Sequence, residues 1–331
     1  MSKVRVAVNG FGRIGRLTSR FLVNNPNVDL VAINDLTDNK TLAHLFKYDT
    51  AQGNFDGTVT ASDDAITING DKIAAFSERN PEALPWKDLG VDIVIESTGV
   101  FRNRDGAEKH ITAGAKKVII SAPAKDADIK TIVLGVNDSD LLEIDTVLSN
   151  ASCTTNCLAP MVKVLDDNLG LEYGLMTTTH AYTSDQRLQD APHADLRRAR
   201  AAAYNIIPTS TGAAIAVGKV LPHLNGKLNG SSMRVPVITG SITELNCITK
   251  KSATADEVNA LFKAASEAGM KGVLQYSEEP LVSSDIIGNP YSCIFDSGLT
   301  MTTDKMIRVV GWYDNEAGYS NRLADLVERL S

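Results

Sequence analysis

Two cysteines lie four residues apart in the segment 149–157, Ser-Asn-Ala-Ser-Cys-Thr-Thr-Asn-Cys. If this segment is helical, Cys153 and Cys157 share one face, which could suggest metal ligands. A zinc site needs more ligands, and neither Cys247 nor Cys293 has a second cysteine at short spacing. We therefore predict no metal site. We interpret Cys153 as a nucleophile in the first turn of a helix, where the helix N-terminus and a nearby histidine would lower the pKa of the thiol.

Five histidines are candidates for the base that activates this thiol. His180 closes a predicted strand in the sequence Thr-Thr-Thr-His, and strand ends beside the crevice of a sheet are where functional side chains are expected. The other four lie in loop-like or charged contexts and are interpreted as ordinary surface residues: His44, His110, His193 and His223. The residue types alone leave the pairing of Cys153 with His180 open.

A glycine-rich turn lies between the first predicted strand and the first predicted helix. It contains Gly10, Gly12 and Gly15 in the spacing Gly-x-Gly-x-x-Gly, which lets the backbone approach a dinucleotide pyrophosphate at a helix N-terminus. The same spacing also occurs in purely structural glycine turns. Asp35, at the end of the second predicted strand, adds a carboxylate that would accept hydrogen bonds from the adenosine ribose and repel a 2′-phosphate. Together these features predict NAD binding, with NAD preferred over NADP.

The first third of the chain alternates short β-branched runs with helical stretches. Such buried runs, separated by helices, are typical of a doubly wound parallel sheet of the Rossmann type. The predicted helix covers residues 13–23, and the predicted strands cover residues 4–8, 28–33, 92–95, 117–120 and 131–134. The strand ends of this sheet would carry the glycine turn and Asp35.

The pattern changes from about residue 170, where longer strands follow one another with few helices. Predicted strands cover 174–182, 233–238 and 241–250, and predicted helices cover 153–169, 212–220 and 255–268. The last of these helices should begin with a capping box formed by Thr254 and Glu257. We predict a second, α+β catalytic domain at 153–316 with a mixed or antiparallel sheet. Residues 1–152, joined by a C-terminal helix in 317–331, would form the NAD-binding domain.

Composition limits the class of protein. A chain of 331 residues is long enough for two domains, and its net charge of −7 argues against dedicated nucleic-acid binding, which needs a basic face. No apolar run is long enough to span a membrane, and the N-terminus lacks the apolar core of a signal peptide. Four cysteines are too few for a disulfide framework. We therefore expect a cytoplasmic protein without membrane association.

Four segments resemble motifs of the glyceraldehyde-3-phosphate dehydrogenases: residues 9–16, 149–157, 205–214 and 312–316. They occur in the order and spacing of that family, and the similarity covers essentially the whole chain. The resemblance implies an enzyme that oxidises D-glyceraldehyde 3-phosphate to 1,3-bisphosphoglycerate with inorganic phosphate and NAD, in glycolysis or gluconeogenesis. It also implies a thiohemiacetal and a thioester on Cys153, His180 as the base, and a homotetramer.

The resemblance further implies sites for two phosphate groups. Thr183 and Arg234 would hold the substrate phosphate, with Asp185 positioning Arg234. Ser152, Thr154, Thr211 and Gly212 would bind inorganic phosphate, with Arg198 approaching it. The full predicted set is Ser152, Thr154, Thr183, Asp185, Arg198, Thr211, Gly212 and Arg234.

For NAD, the positions matching the family are Gly10, Gly12, Arg13, Ile14, Asp35, Arg79, Thr98, Ser121 and Asn315. Asn315 would bind the nicotinamide carboxamide. The segment 181–204 matches a long S-shaped loop at the cofactor and the subunit interface. Within it, Ala191-Pro192 stands where many NAD-using members have Leu-Pro and NADP-using members tend to have Ala-Ser, which leaves some tolerance for NADP open.

Two alternatives remain at this point. A related enzyme that oxidises erythrose 4-phosphate would share the fold and the thiol chemistry, but the intact inorganic phosphate set favours the triose phosphate enzyme. A catalytically silent NAD-binding regulator would keep only the fold. The presence of both Cys153 and His180, together with the acidic charge, argues against that second alternative.

Overall fold

The computed structural model describes residues 3–331, and the chain divides into two compact units. Unit 1 contains the chain up to Ile132 together with Ser139–Ala151 and Ser320–Ser331. Unit 2 contains Val133–Asp138 and Ser152–Tyr319. The division therefore falls inside the cysteine motif, between Ala151 and Ser152, and places one short segment of the first half of the chain with unit 2.

Unit 1 is built on a nine-stranded sheet with the order β3-β4-β5-β2-β1-β6-β7-β9-β8. Its strands are β1 Val4–Asn9, β2 Val28–Asn34, β3 Val59–Ala61, β4 Ala65–Ile68, β5 Asp71–Phe76, β6 Ile93–Glu96, β7 Lys117–Ile120, β8 Lys130–Thr131 and β9 Val147–Ser149. All neighbours pair in parallel except β3 with β4 and β4 with β5. The order reverses at β1, because β2 lies on one side and β6 on the other. In doubly wound sheets, ligands bind at this switch point.

The helices of unit 1 are α1 Arg13–Leu22, α2 Asn39–Lys47 and α3 Arg104–Thr112. The strands between them are almost wholly buried, since both faces of a parallel sheet are covered. The predicted strand at 131–134 is wrong beyond its first residue, because β8 ends at Thr131. The chain turns there, with the Val133 amide donating to Asn137 Oδ1 at 2.9 Å. A short apolar run indicates burial but cannot by itself distinguish a buried strand from a buried turn.

Unit 2 is built on an eight-stranded mixed sheet. Along it lie β11-β12-β10-β13-β17-β15-β14, and β16 pairs with β17. The strands are β10 Leu171–Ala181, β11 Ile207–Ser210, β12 Leu228–Val235, β13 Ser241–Thr249, β14 Leu274–Ser277, β15 Cys293–Asp296, β16 Met301–Thr303 and β17 Met306–Tyr313. β10 and β12 are parallel, so their ends lie side by side, and β10 is antiparallel to β13.

The helices α4 Cys153–Leu169, α5 Ala213–Val220 and α6 Ala255–Glu267 belong to unit 2, and α4 contacts β13, β15 and β17. Alternation along β10 is clear: Met176, Thr178 and His180 are buried, whereas Tyr173 and Leu175 are exposed on the opposite face. The remaining helix, α7, runs over Ala317–Arg329. Short 3₁₀ helices occur at Pro81–Ala83, Asp138–Asp140, Pro222–Leu224, Ser283–Ile286 and Ser297–Leu299.

The capping box predicted for α6 is present, with the Thr254 hydroxyl accepting from the Glu257 amide and the Glu257 carboxylate accepting from the Thr254 amide. Between β10 and β11, residues 182–206 form turns and bends without a helix or an extended strand. Among residues 3–331, no helix combines the length and apolar character needed to cross a membrane.

Candidate active site

The three glycines of the first turn have different structural roles. Gly10 has a φ of +91°, and a Cβ there would lie 2.6 Å from the Thr98 amide nitrogen. A Cβ at Gly15 would lie 2.1 Å from the Gly10 carbonyl oxygen, so close packing of helix on strand requires glycine. A Cβ at Gly12 would meet nothing within 4 Å, and Gly12 begins α1 without a side-chain cap. The open N-terminus of α1 therefore fits an approaching pyrophosphate.

Asp35 is held beside this turn by backbone amides. Its Oδ2 accepts from the Phe11 amide at 2.8 Å, and its Oδ1 accepts from the Thr37 amide at 2.9 Å. The carboxylate follows β2 directly and is half-buried. These contacts fix its direction and leave further lone pairs for ribose hydroxyls.

The other predicted NAD residues of unit 1 also follow adjacent parallel strands, in the order β5, β2, β1, β6 and β7. Arg79 follows β5 and is exposed, Thr98 follows β6, and Ser121 comes directly after β7. In the first turn of α1, Arg13 forms an ion pair with Asp49. Strand ends that lie in this order bring these positions to one edge of the unit 1 sheet.

In unit 2, Asn315 is buried, and its amide is oriented by donors from the loop before β13. Its Oδ1 accepts from the Ser241 hydroxyl at 3.0 Å and from the Gly240 amide at 3.2 Å. Because the oxygen is directed at these donors, the Nδ2 group is the part of the side chain that can donate to a carboxamide oxygen.

The structure brings Cys153 and His180 together. Cys153 is the first residue of α4, and its Sγ lies 3.5 Å from His180 Nε2. The helix start is fixed by Ser152, whose hydroxyl accepts from the Thr155 amide at 3.1 Å. His180, only 4% exposed, is the penultimate residue of β10. The arrangement is therefore a half-buried thiol with an imidazole within reach of its proton.

The second nitrogen of His180 is also engaged. Its Nδ1 lies 2.7 Å from the Ala181 carbonyl oxygen and contacts Nη1 of Arg234. Arg234 is the register partner of His180 on β12, and the same Nη1 donates to the Ala181 carbonyl at 3.0 Å. The parallel pairing of β10 and β12 thus places a guanidinium directly beside the imidazole.

Burial disfavours the charged form of both reacting groups. It raises the pKa of the Cys153 thiol, and the positive charge of Arg234 acts in the opposite direction. Burial and Arg234 together lower the pKa of His180 to about 3. The expectation that the thiol pKa is lowered is therefore wrong, because burial outweighs the charge of Arg234 and the hydrogen bonds at the start of α4. A neutral imidazole that can accept the thiol proton remains.

A buried hydroxyl network beside the thiol was missed from the sequence. The Tyr313 hydroxyl lies 2.9 Å from Thr154 Oγ1 and 2.8 Å from Thr178 Oγ1, and its ring packs edge-on against His180 with 5.9 Å between centroids. Burial raises the pKa of Tyr313, which keeps the phenol protonated. The sequence did contain a feature that could have identified Tyr313, because this residue lies in the 312–316 motif at the end of β17.

The predicted phosphate residues divide into two groups in unit 2. Asp185 forms an ion pair with Arg198 at 2.6 Å and accepts from the Thr183 hydroxyl. Burial raises the pKa of Asp185, while the Thr183 hydroxyl and the positive charges of Arg234 and Arg198 lower it. That Asp185 positions Arg234 therefore stays a prediction. Arg198 also donates to Thr209 Oγ1 at 2.9 Å, a contact that the sequence did not indicate.

Two further predicted phosphate positions lie at the start of α5. Gly212 is its N-cap residue and supplies no side-chain cap, while Thr211 Oγ1 accepts from the Ala213 amide at 3.2 Å. On β12, the buried Arg234 Nε has no hydrogen-bond partner among the described residues 3–331. A buried, unpartnered guanidinium nitrogen suits an anionic ligand.

One interpretation of the histidines also changes. His110 is not a surface residue: it is fully buried in unit 1, where it contacts Glu96 and Trp86. His44 and His223 are exposed, as interpreted. Among residues 3–331, no group of three histidine, cysteine or carboxylate side chains is placed to hold a metal ion, and all four cysteines are free thiols.

A family model described as "Glyceraldehyde 3-phosphate dehydrogenase, NAD binding domain" matches residues 4–104, and one described as "Glyceraldehyde 3-phosphate dehydrogenase, C-terminal domain" matches residues 152–315. The chain is 59% identical over 326 residues to "Glyceraldehyde-3-phosphate dehydrogenase 2" of Streptomyces avermitilis, covering 98% of this chain and 97% of the relative. It is 58% identical over 331 residues to the glyceraldehyde-3-phosphate dehydrogenase of Mycobacterium avium, with the same coverage.

These matches confirm the resemblance inferred from the four motifs, the fold class and NAD as the cofactor. Two domain models cover most of both units, and the relatives align over nearly their full length. The chain therefore belongs to the glyceraldehyde 3-phosphate dehydrogenase family and is an NAD-dependent oxidoreductase.

Proposed function

We propose that the chain catalyses the oxidative phosphorylation of D-glyceraldehyde 3-phosphate to 1,3-bisphosphoglycerate, with Cys153 as nucleophile and His180 as base. The observation that carries this proposal is the 3.5 Å separation of Cys153 Sγ and His180 Nε2 at the start of α4. A thiol beside a neutral imidazole can form a covalent bond to an aldehyde and divide a difficult oxidation into accessible steps. The curated relatives carry the name of this activity.

The proton transfers in this reaction follow from the neutral state of the His180 imidazole. His180 takes the proton of the Cys153 thiol as sulfur attacks the aldehyde carbon, and gives it to the carbonyl oxygen of the resulting thiohemiacetal. It then removes that hydroxyl proton as the thioester forms. When bound, NAD supplies the acceptor for the hydride that leaves in this step. Inorganic phosphate attacks the thioester carbon, the carbon–sulfur bond breaks to release the acyl phosphate, and the Cys153 sulfur takes the proton that His180 holds.

The N-terminus of α4 supports the same steps. The first amide N–H groups of a helix lack intrahelical partners, and the Cys153 amide is among them. Such a donor can stabilise the negative charge that develops on the aldehyde oxygen. The Tyr313 ring, packed edge-on against His180, keeps the imidazole in position.

We assign the two phosphate groups to the residues predicted from the family. Arg234, with its buried Nε unpartnered, is proposed to bind the substrate phosphate together with Thr183. The N-terminus of α5 at Thr211 and Gly212 is proposed to bind inorganic phosphate, with Ser152 and Thr154 at the start of α4 and Arg198 in the S-shaped loop. Arginines and open helix N-termini are effective phosphate ligands.

We assign NAD to the glycine turn, Asp35 and the other strand-end positions of unit 1, with Asn315 donating to the carboxamide. The Asp35 carboxylate would bind the ribose hydroxyls and repel the 2′-phosphate of NADP. The rest of the predicted NAD set comprises Gly10, Gly12, Arg13, Ile14, Arg79, Thr98 and Ser121.

The Asp35→Asn variant tests the assignment of cofactor preference. Asparagine can still accept from the Phe11 amide but has lost the negative charge, so we expect the ratio of kcat/KM for NAD to that for NADP to fall about tenfold. The measurement is a side-by-side assay with both cofactors. An unchanged ratio, or an unsubstituted chain that already uses NADP as well as NAD, would contradict the role of Asp35.

The proposed reaction is tested by NADH formation from purified chain with glyceraldehyde 3-phosphate, with and without phosphate. We expect turnover that requires phosphate. Faster phosphate-dependent turnover with erythrose 4-phosphate would support the related aldose enzyme instead. Absence of any NADH signal from a folded, NAD-binding sample would support a catalytically silent regulator, so a single experiment separates the three functions.

We further propose that the chain works as a cytoplasmic homotetramer. One face of the unit 2 sheet exposes Tyr173 and Leu175, and the S-shaped loop exposes Leu188, Leu196 and Tyr204. Apolar side chains grouped in this way are typical of surfaces covered by another subunit. The four free cysteines suit a reducing compartment.

A further inference from the structure

A row of buried polar side chains crosses the unit 1 sheet at its switch point. Asn34, Asn9 and Glu96 are the last residues of β2, β1 and β6, and Asn9 is the register partner of both neighbours. All three are at most 4% exposed. Polar side chains buried in a parallel sheet are costly unless every one is hydrogen-bonded, so their arrangement calls for a physical reason.

One end of the row is oriented by backbone groups. Asn34 Oδ1 accepts from the Glu78 amide at 2.8 Å, and Asn34 Nδ2 donates to the Glu78 carbonyl at 2.9 Å. These two contacts fix which side of the Asn34 amide is nitrogen. Asn34 Nδ2 also donates to Asn9 Oδ1 at 2.7 Å, which leaves Asn9 Nδ2 to donate to Glu96 Oε2 at 2.6 Å.

The other end is oriented by an indole. Trp86 Nε1 can only donate, and it lies 3.0 Å from His110 Nδ1. His110 Nδ1 is therefore the acceptor, and the proton of the neutral ring is on Nε2. This Nε2 lies 3.1 Å from Glu96 Oε2 and donates to it. Two independent anchors, the Glu78 backbone and Trp86, thus direct donors at the same carboxylate oxygen.

The second carboxylate oxygen holds the loop that follows β6. Glu96 Oε1 accepts from the Thr98 amide at 2.8 Å and from the Thr98 hydroxyl. Thr98 Oγ1 in turn accepts from the Val100 amide at 3.1 Å. Four donors therefore converge on Glu96, and both donors of Thr98 are used, so Thr98 can offer NAD only acceptor atoms.

We propose that Glu96, oriented by Asn9 and His110, is a positioning residue for the dinucleotide site. The residues that follow the row, Gly10 after Asn9 and Asp35 after Asn34, begin two of the loops assigned to NAD. Glu96 fixes the third loop, at Thr98, whose amide would lie 2.6 Å from any Cβ at Gly10. The row ties the three loops to one another. This inference rests on the proposed assignment of these loops to NAD.

The test is the Glu96→Gln variant, which keeps the shape of the side chain. An amide places its own N–H₂ group against two of the four donors, of which only the Thr98 hydroxyl can turn to accept instead. Titration calorimetry with NAD alone should show binding weakened about tenfold or more, because buried donors lose their acceptor. Alkylation of Cys153 by iodoacetamide without NAD should stay within about twofold of the unsubstituted rate, because Glu96 makes no contact with the thiol.

Two matched variants separate positioning from general loss of stability. Adding Asn9→Asp to Glu96→Gln restores an acceptor for the amide at position 96 and for Asn34, so NAD affinity should be partly regained. Ile73→Val removes one buried methylene of β5 without touching the row, and NAD affinity should stay unchanged although the Tm falls.

The proposal is overturned if folded Glu96→Gln binds NAD as tightly as the unsubstituted chain, or if Ile73→Val loses as much affinity for an equal fall in Tm. If Glu96→Gln does not fold, Trp86→Phe decides the matter: it removes the donor that orients His110, and should weaken NAD binding about threefold. Unchanged binding in that variant also overturns the proposal. The test measures NAD binding. A chain that binds NAD but does not oxidise the triose phosphate would therefore contradict the proposed function and not the role of Glu96.

Discussion

The Cys153→Ala variant is expected to lose phosphate-dependent NAD reduction by at least about 10⁴-fold, because removing the nucleophile removes the covalent step itself. Alanine has no atom that can bond to the aldehyde carbon, and the imidazole 3.5 Å away then has no thiol to deprotonate. NAD affinity should change by less than about twofold, since Cys153 is not assigned to the cofactor. NADH formation with triose phosphate and phosphate measures the first quantity, and titration calorimetry the second.

The matched control is Cys157→Ala, one helical turn further along α4. Cys157 is fully buried, and its Sγ donates to the Gly311 carbonyl at 3.6 Å, so its removal should lower the Tm while most of the activity remains. Substantial turnover by Cys153→Ala would show that another group carries the chemistry. Equal loss in both variants would point to damage of α4 and not to loss of a nucleophile.

Local sequence signals predicted the elements that position the site. The start of α4 follows from Ser152 as N-cap, and the start of α6 from the Thr254 and Glu257 capping box, because both depend on side chains within three residues. The glycine turn could also be predicted, since its requirements are steric and confined to Gly10–Gly15. The end of β8 could not, because the apolar run 131–134 is compatible with both a buried strand and a buried turn, and the residue types do not show that the Val133 amide donates to Asn137.

Long-range contacts account for what the sequence could not show in the site. His180 and Arg234 are 54 residues apart, and only the parallel pairing of β10 with β12 places them side by side. Burial raises the pKa of the Cys153 thiol although the charge of Arg234 lowers it, and burial and Arg234 together lower the pKa of His180. His110 was misread for a similar reason: its charged neighbours in sequence suggested a surface position, whereas α3 turns it toward Glu96 and Trp86 in the interior.

Both corrections concern solvation. The residue type defines which protonation states a group can adopt. The burial of the group in the fold decides which of these states is favoured. The polar row at Glu96 shows the compensation this requires, because four donors surround one buried carboxylate. At Cys153 the compensation is incomplete, so the thiol depends on His180 for the removal of its proton.

The His180→Asn variant is expected to lower kcat about 10²–10⁴-fold, the usual effect of removing a positioned acid–base group. Asparagine can keep a contact to the Ala181 carbonyl but cannot accept and return a proton. KM for NAD should hardly change, because His180 is not assigned to the cofactor. The control is His223→Asn, an exposed histidine paired with Asp166, which should leave the rate unchanged.

The pH dependence of Cys153 alkylation makes this prediction specific to proton transfer. In the unsubstituted chain the neutral imidazole can take the thiol proton as sulfur attacks the alkylating agent, whereas in His180→Asn the thiol must ionise unaided, with a pKa that burial has already raised. Alkylation at neutral pH should therefore slow about tenfold, which corresponds to a shift of about one pH unit in the profile, and the two rates should converge at high pH, where the thiol is ionised in both. Identical profiles combined with an unchanged kcat would show that the imidazole is not the base.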